Sequence, residues 1–211
     1  MDNIMVRGIS RYKRALLSGA VLFCLIGAIS LAQVYKSRAA ILPPGVDSHL
    51  DNNFRDMDVK DAGRRAVIRW MGENSAMSES VLSDIYGIAA NNVHTDLILA
   101  ICLVESNYNP RAVSDKGAMG LMGIMPGIWL DELKAQGILG KKEDLYRISN
   151  NIAAGSYVIE RYISRTRDIR HALIRYEGGD SWYAARVLKA MRKISLIRQS
   201  QGNFYLASAS E

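Results

Sequence analysis

A mostly α-helical fold is predicted for this chain by three observations. Apolar residues from about residue 59 onward recur at helical spacing, and no stretch alternates polar and apolar residues as a half-buried strand would. Helix start and stop residues bracket most of the periodic segments. Ahead of them lies one uncharged run, Ala15 to Tyr35 (ALLSGAVLFCLIGAISLAQVY), whose 21 residues suffice for a single helix to cross a bilayer's hydrocarbon layer.

That run sets the expected topology. Arg7, Arg11, Lys13 and Arg14 precede it against a lone Asp2, while only Lys36 and Arg38 follow closely. The more basic flank stays on the cytoplasmic side, so residues 1–14 are expected to be a cytoplasmic basic segment and 15–35 a transmembrane anchor. A cleaved signal peptide is the alternative, with Ser30-Leu31-Ala32 as an acceptable small-x-small site, although the run exceeds the usual apolar region of about 7–15 residues. Either way the remainder is exported. Residues 36–58 are polar, carry Pro43-Pro44-Gly45, and read as a tether that needs no fold of its own.

Beyond the tether, helices are expected at about 59–72, 79–91, 96–106, 119–135, 150–165, 168–176 and 181–195. Ser78, Thr95, Ser149 and Ser181 stand where their oxygens can accept from unpaired first-turn amides. They make one domain from about Lys60 to Gln199, with residues 200–211 as a tail. No internal repeat or low-complexity tract interrupts it.

Composition narrows the function classes. The chain is 211 residues long, 49% hydrophobic and 23% charged, which is too apolar for wholesale disorder. Its net charge of +6 resembles that of a nucleic-acid binder, yet residues 1–38 hold six Lys/Arg and one Asp, so the exported part is nearly neutral. Within it, residues 39–160 carry 11 basic and 16 acidic side chains, and residues 161–211 carry 10 basic and 4 acidic. The basic excess reads as a solvated helix face or as affinity for an anionic polymer, and no nucleic-acid partner is expected. Cys24 and Cys102 fall in the apolar run and in an apolar helix, which excludes an intramolecular disulfide. His49, His94 and His171 lack metal-ligand spacing and suit surface or capping roles, so neither a metal nor a cofactor is expected.

The chemistry concentrates in residues 96–127. Asp96 to Val104 (DLILAICLV) is apolar on every side after its first residue, as a core helix is. Glu105 falls on the stripe of Ile98, Ile101 and Cys102, in the last turn before Asn107 and Asn109-Pro110 stop the helix. Desolvation and the negative end of the helix dipole both oppose ionisation there, so Glu105 is expected to have a raised pKa and to serve as a general acid. A buried Glu satisfied by backbone amides or an Arg is the alternative. Gly117, Gly120 and Gly123 recur at every third residue, as do Met119, Met122 and Met125. Such glycines permit close backbone approach to a helix or a ligand, and the methionines line either core or cleft.

Taken together, ESNYNPRAVSDKGAMGLMGIMP at 105–126, NIAAGSYVIERYI at 151–163 and ALIRYEGGDSWYAARVL at 172–188 resemble the catalytic domain of the soluble lytic transglycosylases. These are a lysozyme-like family related to goose-type lysozyme. The resemblance spans Asp96 to Leu188 and implies a lysozyme-like α-helical domain behind the single N-terminal transmembrane helix. It also implies Glu105 as the catalytic acid and base, Ser114 as a substrate-placing hydroxyl, Met125 as cleft wall and Tyr176 as a ring near the reacting sugar. Gly117, Gly120 and Pro126 match the family's backbone positions.

Two positions depart from the family: Gly123 stands where a Gln is usual, and Glu177 where an Asn follows the tyrosine. The first removes an amide contact to the sugar. The second either brings a new carboxylate to the cleft, raising the pKa of Glu105, or faces water before Gly178-Gly179.

By resemblance the substrate is peptidoglycan. Its MurNAc-GlcNAc β-1,4 bond would be cleaved with one carboxylate, in place of the two that ordinary glycosidases use, to give a 1,6-anhydromuramoyl end. An exported domain tethered to the bacterial inner membrane, in the periplasm, would reach that polymer, and some relatives open the wall locally for secretion or conjugation machines. Two rivals remain at this point: a hydrolytic muramidase with Glu177 or Asp180 as second carboxylate, and a non-catalytic peptidoglycan-binding scaffold.

Overall fold

The structure is a computed structural model that describes residues 47–208, with side chains described from 57 to 200. The expected basic segment, the transmembrane run and the tether up to residue 46 lie outside the described residues. Among those described, no helix is long and apolar enough to cross a membrane. The domain core lies within the compact unit Asp56–Glu211.

Among the described residues, seven α-helices and one 3-10 helix follow in order: α1 (Asp47–Glu73), α2 (Glu79–Ala89), α3 (Thr95–Ser106), α4 (Pro126–Ala135), the 3-10 helix Lys142–Tyr146, α5 (Ile148–Thr166), α6 (Ile169–Glu177) and α7 (Ser181–Ser208). The mostly α expectation is met, and the described residues form no strand longer than an isolated bridge.

Helix α3 is the axis of the fold. Six consecutive residues, Leu97 to Cys102, are buried, so every side of the helix meets protein. Burying each such Leu or Ile contributes on the order of 1.5–3 kcal/mol. Helix α7 is the main partner of α3, while α5, α6 and α7 pack successively on one another. Val187 and Ile194 of α7 and Ile152, Val158 and Ile159 of α5 complete the core.

Several boundaries differ from expectation. Helix α1 begins at Asp47, so residues 47–58, expected as tether, are helical. No Gly or Pro occurs between Val46 and Gly63, acidic residues favour a helix N-terminus, and Leu50, Phe54 and Met57 recur at the helical spacing i, i+4 and i+7 that the tether reading passed over. Residues 119–125, expected as helix, form tight turns joined by the bridges Val113–Met119 and Met119–Ile124. Gly120 and Gly123 adopt φ of 76° and 61°, which a helix forbids, and α4 starts only at Pro126, in the first-turn position that suits proline.

The caps also differ. Ser78 is an N-cap by position, but its hydroxyl pairs with Ser80 Oγ at 3.0 Å. Thr95 lies inside α3 and donates to Asn92 O, and Ser149 lies inside α5 behind Arg147. At α7 the Trp182 amide is met by Asp180 Oδ1 at 2.8 Å, one residue before Ser181. Asp168 caps α6 by accepting from the His171 amide, and the His171 ring pairs with the same carboxylate.

Candidate active site

Glu105 occupies the last turn of α3, which ends because Asn107 and Tyr108 turn left-handed with φ of 48° and 62°. The helix thereby delivers a carboxylate from the core to the floor of a cleft of about 450 Å³. That cleft gathers all six residues singled out in the sequence: Glu105, Ser114, Gly123, Met125, Tyr176 and Glu177.

The turns after α3 form one wall. Ser106 Oγ donates to Leu121 O at 2.9 Å, and buried Asn151 on α5 accepts from the Met122 amide at 2.8 Å while donating to Met119 O and Leu145 O. One asparagine thus ties three backbone groups of the turns and the 3-10 helix to α5. Gly120 is needed because a side chain there would strike Asn151 and the Leu145 carbonyl. Ser114 Oγ accepts from the Ala118 amide at 3.0 Å, which leaves its hydroxyl hydrogen to donate to a ligand. Met119 and Met122 are core and Met125 lines the cleft, so the methionine stripe divides between the two readings.

Helix α6 supplies Tyr176 and Glu177 to the cleft, and α7 packs against α6. Tyr176 and Tyr183 stack with centroids 6.5 Å apart and planes 9° from parallel, across the turn at Gly178 and Gly179. Their hydroxyls diverge: Tyr176 donates to Met122 O and Tyr183 donates to Glu105 Oε1, each at 2.6 Å. Tyr183 escaped the sequence reading. Its signal was a second tyrosine on the far side of a two-glycine turn from the first.

Burial pushes the Glu105 carboxyl up to about 7; the Tyr183 hydrogen bond opposes that rise, the Glu177 charge adds to it, and Arg186 opposes it. The expected raised pKa is therefore present, with desolvation as its main cause. Glu177 combines the two alternatives left open for it, being exposed to water and lining the cleft at once. Gly123 lies directly against Glu105: a Cβ there would fall 2.8 Å from the carboxyl carbon. With φ of 61° the position favours glycine twice over. Asp180 does not line the cleft and serves instead as the cap of α7.

A protonated carboxyl, held from one side by a phenol and open to a cleft on the other, can give a proton to a bound oxygen and take one back. The family model of the transglycosylase SLT domain matches residues 85–194. The chain belongs to the transglycosylase SLT domain family. Its SLT domain runs from within α2 to within α7 and contains the cleft. A protein named transglycosylase from Enterobacteria phage PRD1 is 31% identical over 120 residues, which cover 54% of this chain and 42% of that protein. The chain therefore matches less than half the length of this relative. No solved structure matches.

Proposed function

We propose that this protein is a peptidoglycan lytic transglycosylase that cleaves the MurNAc-GlcNAc β-1,4 bond and leaves a 1,6-anhydromuramoyl end. The observation that carries the reading is one partly buried carboxyl, Glu105, pushed to about 7 at the floor of the cleft of an SLT domain. A group with that pKa is a competent acid and a competent base at neutral pH, a match that contributes about 10²–10⁴-fold to rate.

In this mechanism protonated Glu105 donates to the glycosidic oxygen as the bond from C1 breaks, and the GlcNAc side leaves as an alcohol. The N-acetyl carbonyl of the muramoyl residue supports the developing positive charge at C1. The Glu105 carboxylate then takes the proton of the C6 hydroxyl as O6 bonds to C1, which restores the acid and consumes no water. Tyr183 steadies the carboxylate between the two transfers. Ser114 places the sugar with its free hydroxyl hydrogen, Met125 and the Gly123 backbone shape the wall, and Tyr176 holds that wall through Met122.

A second reading is hydrolysis, favoured by one observation: Glu177 lines the same cleft and can activate a water. The setting we infer is the periplasmic side of the bacterial inner membrane, with residues 15–35 as anchor and local wall opening for a secretion or conjugation apparatus as the task. The uncharged run and its basic flank support that placement.

The test is clearance of purified cell-wall sacculi by wild type and by Glu105→Gln at matched folding. Loss of clearance in the variant alone is expected. Equal clearance removes Glu105 from the chemistry, and a wild type that binds sacculi without releasing fragments favours a scaffold.

A further inference from the structure

Helix α7 contains no Asp or Glu anywhere along its length. Trp182, Arg186, Lys189, Lys193 and Leu196 are all exposed, and their spacing of i, i+4, i+7, i+11 and i+14 sets them on one stripe. The stripe runs roughly 21 Å at the usual rise of an α-helix. At its start Trp182 is 67% exposed with the Arg186 guanidinium 5.3 Å above its ring. None of Arg186, Lys189 and Lys193 is paired with a carboxylate among the described residues. The cations on this part of the fold that are paired, Arg161 with Glu132 and Arg198 with Asp96, lie off the stripe.

Among the described residues the stripe's cations are thus free of ion pairs, Arg186 resting only on the Trp182 ring, and only one end of the stripe is near the cleft. The residue next to Trp182 is Tyr183, whose hydroxyl reaches Glu105, so the stripe begins at the catalytic end of α7 and leads away from it. Its character is opposite to that of the cleft rim, where Asp115 and Glu177 outnumber Lys116. A membrane surface fits less well. Interfacial helices bury an apolar face in lipid, whereas the apolar face of α7, with Tyr183, Ala184, Val187, Ala190 and Ile194, is already buried in the core.

We propose that Trp182, Arg186, Lys189 and Lys193 form a docking rail for the carboxylate-bearing peptide stems of the peptidoglycan strand that enters the cleft, an inference that rests on the substrate proposed above. Trp182 supplies a flat amphipathic platform for a sugar or peptide face, and its ring orients Arg186 for a carboxylate. Lys189 and Lys193 extend the attraction along the helix as mobile point charges. The rail would hold a strand near the cleft between cleavages and favour stem-bearing over bare glycan.

The test uses the full chain carrying Glu105→Gln, so that binding is read without cleavage. Co-sedimentation is measured with intact sacculi, with sacculi stripped of their peptide stems, with phosphatidylglycerol vesicles and with duplex DNA. Replacing Arg186, Lys189 and Lys193 together by Glu should weaken binding to intact sacculi about tenfold or more at low salt, and the difference should close as salt screens the charges. Stem-free sacculi should bind the two proteins alike. Replacement by Gln should give a smaller loss in the same order, with unchanged thermal unfolding excluding misfolding as the cause. Equal binding of both proteins to intact sacculi overturns the rail, as does tighter binding of the parent to vesicles or DNA than to sacculi. A stem-dependent loss of binding in a protein whose Glu105 form cleaves nothing would sustain the rail and remove the proposed activity instead.

Discussion

Tyr183 on α7 donates its hydroxyl to Glu105 on α3 at 2.6 Å, joining residues 78 positions apart in the chain. The bond stabilises the ionised carboxylate and so opposes the desolvation that raises its pKa. Tyr183→Phe should therefore move the alkaline limb of the rate profile above its wild-type position near pH 7. The carboxyl would also lose its anchor, and the rate at the optimum should fall about tenfold. Initial rates of wall-fragment release across pH 5 to about 9 read both effects.

Glu177 acts on the same group in the other direction. Its charge helps to raise Glu105, so Glu177→Gln should shift the alkaline limb to lower pH while leaving the acidic side in place. A hydrolase that used Glu177 to activate water would instead lose its turnover. The direction of the limb and the size of kcat in this one variant separate the two roles.

The raised pKa also bears on stability. Because the folded value, about 7, lies above the ordinary 4.5, native protein between those values keeps a proton that the unfolded chain releases. Stability from this group is fully present below about pH 4.5 and is lost as pH rises through about 7. Glu105→Gln has no such loss, so denaturant unfolding should find it gaining on wild type with increasing pH. By pH 8 the relative gain should approach about 3 kcal/mol.

Gly123 is expected to tolerate nothing larger. Gly123→Ala meets both a left-handed backbone, at a cost on the order of 1–2 kcal/mol, and the Glu105 carboxyl itself. Turnover should fall at least about tenfold because the acid is displaced, and Gly123→Gln, which restores the residue usual in the family, should be no better. Fragment release and thermal unfolding of the two variants check this.

Glu105 was legible because one residue breaks an apolar run at a helix end, and burial, dipole and chain stop can all be read locally. Tyr183 was not, since its partner lies on another helix and no local pattern marks the meeting. Residues 119–125, expected as the start of a helix, differ for a physical reason. Gly120 and Gly123 sit at positive φ and fold the segment into turns, a conformation that no apolar pattern announces. The 3-10 helix Lys142–Tyr146 carried no apolar period because its end is fixed by Asp144 accepting from the Gly140 and Lys141 amides. Residues 47–58 were read as tether because polar side chains dominate them, although Leu50, Phe54 and Met57 keep a helical spacing within them.

The central claim is that one carboxyl, Glu105, performs the whole proton cycle without water. Digestion of peptidoglycan in heavy-oxygen water, followed by mass analysis of the released muramoyl ends, tests it most directly. The expected result is 1,6-anhydro ends free of heavy oxygen, absent from a parallel digestion with Glu105→Gln. Reducing muramic ends that carry the heavy label would show that water attacks C1 and would contradict the account.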